Sequence, residues 1–191
     1  MTTAHAPRGT LALLAHLSTV ELRSAVLDGE LVPLGEGFAP LDLPVTATDR
    51  ARTLAATIAD SRVIVADRTA AWVWGWCSAP GRLRTCVSIA ARIPSTQRRR
   101  LGAREAVIDD DEHRLLADVR VTTPLRTLVD LARHGTEPET VDLLAQGLRE
   151  SGISLAAALA ALDRRARLSF VRAARQRLTE AAAKADRLSR C

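Results

Sequence analysis

The sequence predicts an α+β protein, with a small N-terminal unit and a larger mixed α/β body that holds a small sheet and ends in helices. Apolar residues recur at helical spacing in some segments, whereas in others they alternate or run continuously, as in strands. Both patterns meet within residues 119–133, and 47% of the 191 residues are hydrophobic, which is enough for a packed core. We place the boundary between the two parts after residue 45, giving residues 1–45 and 46–191.

Residues 10–40 predict a helix, a turn, a second helix and a hairpin, in that order. An apolar stretch at residues 10–17 predicts the first helix. Ser18 and Glu21 have the spacing of a capping box, which predicts the start of the second helix. Residues 30–40 predict two short strands joined by a glycine turn. This is the outline of a winged helix-turn-helix, whose second helix enters the major groove of DNA. The alternative is a capping subdomain of the same shape without a DNA contact.

Helices and strands alternate at the start of the body. Apolar spacing predicts a helix from Thr48, and the β-branched run at residues 62–66 predicts a buried strand. A helix capped by Asp67 is expected to follow. The further strands predicted in this part span residues 84–89, 104–108, 114–116 and 119–121, and a loop with three arginines separates the first two.

Three tryptophans lie within five residues of a chain that has no tyrosine and two phenylalanines. At helical spacing Trp72 and Trp76 share a face, and Trp74 lies nearly opposite. A base-stacking platform is one interpretation, because aromatic rings stack on unpaired bases. We favour a hydrophobic anchor, because aromatic side chains bury large areas and this segment adjoins a predicted buried strand.

Residues 119–133 predict a strand that turns into an amphipathic helix. Thr123 is a good N-cap, and Pro124 suits the first helical position because its missing N–H has no partner there. Gly135 predicts the end of this helix. The helices predicted after it begin at Thr136, at Ser154 and at residue 168, and the last of them runs to residue 188.

The net charge of +5 hides an alternation along the chain. Residues 46–108 hold eleven arginines against four acids, whereas residues 1–45 hold two against five. Residues 163–191 are again basic, with nine basic residues against three acids. A basic balance favours nucleic acid as a partner, because contacts to phosphates supply most sequence-independent affinity. A charged solvated surface is the alternative.

The expected compartment is the cytoplasm. The chain has no apolar run near 18 residues, so the sequence predicts no membrane span. Its first residues lack the layout of a secretory signal. Cys77, Cys86 and Cys191 are far apart in the sequence and form no CxxC pair, so neither a zinc site nor a disulfide framework is predicted.

Residues 109–113, with the sequence Asp-Asp-Asp-Glu-His, are the one cluster with the chemistry of metal ligands. Carboxylates beside a scissile phosphate hold Mg²⁺ in many nucleases. However, consecutive side chains of an extended chain alternate between opposite faces, so at most two of these acids converge. We favour a solvated loop. With no nucleophile or phosphate-loop motif present, we predict no catalytic residue, no metal and no cofactor.

Two groups of arginines are candidates for contact with phosphates. The first is the triplet Arg98, Arg99 and Arg100. The second lies near the C-terminus, where arginines on a solvated helical face are the alternative interpretation. It consists of Arg164, Arg165, Arg167, Arg172, Arg175 and Arg177.

The order of these parts resembles the AbiEi family of antitoxins, from bacterial type IV toxin–antitoxin systems that act in phage defence. The matching pieces are residues 17–40, which end in Gly-Phe-Ala-Pro, and residues 63–76, a strand followed by an aromatic helix. The most specific piece is Val-Thr-Thr-Pro-Leu-Arg-Thr-Leu-Val-Asp-Leu-Ala at residues 121–132. The resemblance covers most of residues 10–160.

The resemblance implies a winged helix that binds the double-stranded promoter DNA of its own operon and represses it. It also implies an α/β domain that neutralises a nucleotidyltransferase-like toxin, often without a stable complex between the two proteins. The positions that fall on the recognition helix by this resemblance are Ser18, Thr19, Arg23 and Ser24, and residues 34–37 fall on the wing.

This sequence departs from the family pattern in its charge. Recognition helices and wings of the family are rich in arginine, whereas this helix offers only Arg23, and Glu30 and Glu36 accompany the wing. Asp118 also stands where a turn glycine is usual. We therefore expect the arginine-rich body to supply much of the DNA affinity. The alternatives to a DNA-binding antitoxin are an interaction protein of the same fold that does not bind DNA, and a Mg²⁺-dependent nuclease.

Overall fold

A computed structural model describes residues 17–165 and 169–188. Its helices are α1 (Thr19–Leu27), α2 (Ala47–Leu54), α3 (Asp67–Val73), α4 (Ser95–Arg100), α5 (Pro124–His134), α6 (Thr140–Ser151), α7 (Leu155–Asp163) and α8 (Val171–Leu188). Its strands are β1 (Leu31–Leu34), β2 (Gly37–Pro40), β3 (Val63–Val65), β4 (Thr85–Ser88), β5 (Ala103–Ala106), β6 (His113–Leu116) and β7 (Val119–Thr122). The predicted α+β class is confirmed.

A mixed five-stranded sheet in the order β5-β4-β3-β7-β6 organises the body. The pairs β3–β7 and β4–β5 are parallel, and β3–β4 and β6–β7 are antiparallel. One face of the sheet is apolar, because Val63, Val65 and Val87 are buried in a core with α2 and α3. On the other face Ile64, Cys86 and Arg104 stand in register across three strands. A charged residue therefore lies on a largely covered sheet face.

The predicted strand-to-helix segment is confirmed. Thr123 is the N-cap of α5 and accepts a hydrogen bond from the backbone N–H of Arg126, and Pro124 is the first helical residue. The two strands predicted at residues 114–116 and 119–121 are also present and pair as a hairpin, with Ala117 and Asp118 in the left-handed region at φ 45° and 68°. Two such residues in a two-residue turn suit the twist of paired strands. Asp118 therefore adopts a conformation that glycine occupies more readily than other residues.

Helices α5 to α8 form a second core. Leu128, Leu144, Leu162 and Leu178 are fully buried in it, one from each helix. The predicted cap Ser154 is confirmed, since its Oγ accepts a hydrogen bond from the N–H of Ala157. Within the described residues, none of the helices combines the length and the apolar composition that crossing a bilayer requires.

The three tryptophans act as hydrophobic anchors, as predicted. Trp72 and Trp76 are buried, at 4% and 5% exposure, and Trp74 donates its indole N–H to the carbonyl of Thr122 at 2.9 Å. The prediction that Trp72 and Trp76 share a helix face is wrong. Helix α3 ends at residue 73, and Gly75 has φ +86°, so Trp72 enters the sheet core and Trp76 enters the helical core.

Three local predictions are wrong. Asp67 is the first residue of α3 rather than its cap, and its carboxylate pairs with Arg104 instead. The helix expected from Thr136 begins at Thr140 without a capping box, because Glu137 turns back to the N–H of Thr136. The predicted loop that contains Arg98, Arg99 and Arg100 is the short helix α4.

The hairpin β1–β2 packs onto the body. Leu34 and Ala39 are buried in the same core as Leu54 and Trp72. At the turn, Gly35 has φ +55°, and a Cβ built on it would lie 2.7 Å from Cη2 of Trp72. Glycine is therefore required there by both conformation and space. The hairpin tip is held against the body instead of projecting from it.

Of the predicted helix-turn-helix, the second helix and the hairpin lie in the described residues. The first helix, at residues 10–17, falls outside them apart from Leu17. The winged helix-turn-helix therefore stays a prediction. What the described residues contain is a capped helix followed directly by an antiparallel hairpin.

Gly102→Ala is expected to destabilise the sheet core. Gly102 has φ +57°, and a Cβ there would lie 2.2 Å from the carbonyl oxygen of Leu83. The left-handed conformation alone costs alanine about 1–2 kcal/mol, and the backbone clash adds to it. Urea unfolding measures the loss. Gly29→Ala is the matched control, because Gly29 has φ +75° but open space around it. Equal losses in the two variants would contradict the steric part of this explanation.

Candidate nucleic-acid interface

Most residues of helix α1 are exposed, and Leu22, Ala25 and Val26 are half-buried. Ser18 caps it, accepting from the N–H of Glu21 at 3.3 Å, while the N–H of Ser18 donates to the Glu21 carboxylate at 2.7 Å. The predicted capping box is thus present. None of the nine residues of α1 is buried. The four positions predicted to contact DNA, Ser18, Thr19, Arg23 and Ser24, are all exposed.

The charge around α1 is acidic, as the sequence indicates. Glu21 is held in the capping box, and Asp28 and Glu30 follow the helix as exposed acids. Glu36 is exposed at the tip of the hairpin. Arg23 is the one basic residue of the helix, so α1 offers hydroxyls and a single guanidinium group to a partner.

The arginine triplet lies on another element. Helix α4 packs against β5, whereas α1 packs against β1. Arg98 forms an ion pair with Glu105 on β5, which also pairs with Arg92. Arg99 and Arg100 are exposed. Two of the three predicted phosphate contacts are therefore presented to solvent, and the third is engaged within the fold.

The acidic cluster does not converge on one point. Asp109 caps a single 3₁₀ turn formed by residues 110–112, and Asp110 and Asp111 are exposed. Glu112 turns inward and forms ion pairs with Arg126 and Arg165. Across residues 17–165 and 169–188, His, Cys, Asp and Glu side chains nowhere gather in a group of three that could hold a metal.

A buried ion-pair chain joins α5 to the polar face of the sheet. Asp130 is fully buried, and its Oδ2 lies 2.8 Å from Nη2 of Arg104 and 2.8 Å from Nε of Arg126. Arg104 also reaches Asp67, with 3.2 Å between Nε and Oδ2. We name the whole set the ion-pair chain; its members in order are Asp67, Arg104, Asp130, Arg126, Glu112 and Arg165.

In the ion-pair chain, burial and neighbouring charges shift the pKa values of the arginines in opposite directions, and the charges have the larger effect. Burial lowers the pKa of Arg104, but the carboxylates of Asp130 and Asp67 together raise it above the ordinary arginine value. The same balance raises the pKa of Arg126 beside Asp130 and Glu112. Both guanidinium groups are therefore firmly charged although they are largely enclosed. Among the described residues, the Oδ1 of Asp130 has no hydrogen-bond partner.

The ion-pair chain could not be predicted from the sequence, because most of its members are far apart along the polypeptide. One signal was available. Arg126 and Asp130 are spaced i, i+4 within the amphipathic helix, where opposite charges pair. The ion-pair chain gives a structural role to Arg126 and Asp130, two charged positions of the segment that carries the family resemblance. These two residues tie α5 to β5 and to the turn before β6.

Cys86 lies on the same sheet face as Arg104, and burial raises the pKa of its thiol to about 12. The nearby guanidinium of Arg104 opposes this shift without overcoming it. Cys86 is therefore a neutral apolar group at physiological pH, and it packs with Ile64 and Ala106.

His134 is expected to make the fold less stable in weak acid. Burial, and then the charges of Arg104 and Arg133, lower the pKa of its ring. A lowered pKa in the fold means that the unfolded chain takes up the proton first. The contribution of the neutral ring is thus present above pH ~6.5 and is lost as the pH falls through the folded value. Urea midpoints at pH 7 and pH 5 measure it, and the drop should be smaller in His134→Gln. An equal drop in both proteins would contradict the assignment.

Comparison with known proteins gives no relative from which to transfer a role. No protein-family model matches the sequence, and no curated protein is significantly similar to it. The residues of this site are therefore interpreted from their own geometry.

Proposed function

We propose that this chain is the DNA-binding antitoxin of a bacterial toxin–antitoxin pair, which represses its own promoter and neutralises a nucleotidyltransferase-like toxin. The observation that carries the proposal is α1, a capped helix with no buried residue, followed directly by an antiparallel hairpin. No residue of α1 belongs to the hydrophobic cores that the described residues form, so most of this helix is free to contact a partner. Its exposed hydroxyls and Arg23 suit contacts to base edges and phosphates.

The dimensions of α1 fit this role. A helix with its side chains is ~10–12 Å across and the major groove is ~12 Å wide, and nine residues at ~1.5 Å each give α1 a length of about 14 Å along the groove. The N-terminal residues of a recognition helix make most of its base contacts, and here these are Ser18 and Thr19. The Oγ of Ser18 already serves the helix cap, so Thr19, Arg23 and Ser24 are the positions from which we expect specific contacts.

Much of the affinity has to come from outside α1. DNA carries one negative charge per ~1.7 Å of duplex, and the acids around α1 are repelled by it. Arg99 and Arg100 on α4 are exposed and are candidates for phosphate contacts. The hairpin contributes little, because its tip rests on Trp72 and carries Glu36.

The antitoxin half of the proposal rests on the resemblance at residues 121–132. In the fold this segment is β7 followed by α5, and it holds two of the six members of the ion-pair chain, Arg126 and Asp130. The segment is a structural scaffold for the body. In this proposal the body carries the surface that neutralises the toxin. The class of the toxin is inferred from the resemblance alone.

The test uses the purified protein and the DNA upstream of its own reading frame. The proposal expects an electrophoretic shift at low salt that weakens at moderate salt, together with rescue of growth when a neighbouring nucleotidyltransferase-like gene is expressed. Absence of a shift at both salt concentrations would overturn the DNA-binding half. Failure to rescue growth would overturn the antitoxin half independently.

A second candidate is an interaction protein of the same fold that does not bind DNA. Two observations favour it: the acidic surroundings of α1, and the exposed Val20 and Leu27 on that helix, at 78% and 88% exposure. Exposed apolar side chains on one helix are more typical of contact with a protein than with phosphates. This candidate expects growth rescue without a DNA shift, so the same two experiments separate it from the first.

A further inference from the structure

A charged cleft opens at the end of the sheet where β3 stops and β4 and β5 begin. Its inner part is a cavity of about 230 Å³ lined in part by Asp67, Arg104 and His134. Its outer part has a volume of about 540 Å³. Arg68 and Arg84 line both parts, so the two volumes adjoin.

The topology explains why arginines meet at this mouth. Strands β3 and β4 are antiparallel, so Arg68, shortly after β3, and Arg84, just before β4, lie at the same end of the sheet. The N–H of Ala66 donates to the carbonyl of Arg84 at 3.1 Å, and the N–H of Arg84 donates to Oγ1 of Thr69 at 2.9 Å. The backbone that carries these arginines is therefore fixed before any ligand arrives.

The cleft has an excess of positive charge that the fold does not use. Arg104 is neutralised by Asp67 and Asp130. For the side chains of Arg68, Arg82 and Arg84, by contrast, the described part of the chain provides no ion-pair partner. The remaining acid on the described lining is Glu137, so three guanidinium groups face one carboxylate. Leaving like charges together without a partner is unfavourable, and an anion between them relieves it.

The backbone conformation of Asp67 is separate evidence that the inner cavity has a fixed shape. This residue adopts φ +49°, in the left-handed region that non-glycine residues rarely occupy. Its carboxylate is held by Arg104, at 3.2 Å and 3.4 Å for two hydrogen bonds. Backbone strain of this kind clusters at ligand sites, where the surrounding structure maintains it.

We propose that this cleft binds a small ligand with two or more linked phosphate groups, held by Arg68, Arg82 and Arg84. The planar guanidinium fork matches phosphate oxygens in pairs, and three such groups match the charge of a diphosphate. The concave shape favours a small ligand over a duplex. The lining that is described includes no tryptophan, tyrosine or phenylalanine ring on which an unpaired base would stack. The site is separate from α1, so this inference does not depend on the proposed function.

The test is calorimetric titration of the full-length protein with pyrophosphate at low salt. Arg82 and Arg84 are both exposed, so the double variant Arg82→Ala, Arg84→Ala should fold normally. We expect it to bind pyrophosphate at least tenfold more weakly than the wild type. The control is Arg99→Ala with Arg100→Ala, which removes two exposed arginines from α4 and should change the affinity less than twofold.

Further titrations distinguish the source of the phosphate. Orthophosphate binding as tight as pyrophosphate would overturn the requirement for linked phosphates. A nucleoside diphosphate that binds more tightly than pyrophosphate would support the proposal and identify an organic part of the ligand. The proposal would be overturned if the wild type did not bind pyrophosphate, or if the control variant lost as much affinity for pyrophosphate as the double variant. It would also be overturned if the double variant lost only the binding of duplex DNA.

Discussion

Asp130→Ala is expected to lower the free energy of unfolding by about 3–5 kcal/mol, the usual cost of breaking a buried ion pair by removing one partner. Asp130 is fully buried and is the shared partner of Arg104 and Arg126. Its removal leaves two enclosed guanidinium groups close together without the carboxylate between them. The penalty comes mainly from this repulsion in a buried site, because Arg104 then keeps only Asp67 and Arg126 only Glu112 as acidic partners, and the loss of packing adds little.

Urea unfolding measures this loss, and the exposed pair of Asp163 with Arg175 provides the control. Both side chains of that pair are about half exposed, so Arg175→Ala should change stability by at most about 1 kcal/mol. Asp130→Asn keeps the shape of the side chain while it removes the charge, and it should also exceed the control. A loss no larger than that of Arg175→Ala would show that the ion-pair chain does not hold α5 on the sheet.

Reversing the charge of α1 is expected to weaken binding to the upstream DNA at least tenfold. The variant is Arg23→Glu with Ser24→Glu, at two exposed positions of α1. It adds negative charge where the proposal places phosphates and base edges, and a specific base contact alone is worth about 1–3 kcal/mol. Both replacements are acceptable within a helix, so α1 should still form. Electrophoretic shifts at fixed salt measure the change.

A matched charge reversal on the body keeps this prediction specific to α1. Ser61→Glu with Arg114→Glu makes the same change in net charge at two exposed positions outside α1 and α4. It should weaken binding much less. The α1 variant should also retain growth rescue, since the proposal assigns toxin neutralisation to the body. Equal weakening by the two double variants would mean that α1 has no special place at the DNA.

Local chemistry made part of this fold predictable. The capping box at Ser18, the Thr123–Pro124 start of α5 and the β-branched run that forms β3 depend on neighbours within a few residues, and all three are confirmed. The hairpin β1–β2 was likewise predicted from its glycine turn. These signals are short in range, so a single sequence contains them in full.

The features that the sequence did not reveal depend on distant partners. Asp67 is a residue type that often caps helices, yet its carboxylate pairs with Arg104, 37 positions away. Glu112 appears in the sequence as one of four adjacent acids, and only the fold separates it from the other three. The separation of Trp72 and Trp76 into different cores depends on a turn at Gly75 that interrupts the helical period. The cleft was not foreseen because Arg68 and Arg84 meet only through strand pairing.

The most direct test of the central claim is to follow backbone amide signals of the ¹⁵N-labelled full-length protein during titration with the upstream duplex. The account predicts that the signals of residues 18–27 shift first and furthest, with smaller shifts at Arg99 and Arg100. Shifts confined to the body, with α1 unchanged at saturating duplex, would contradict it.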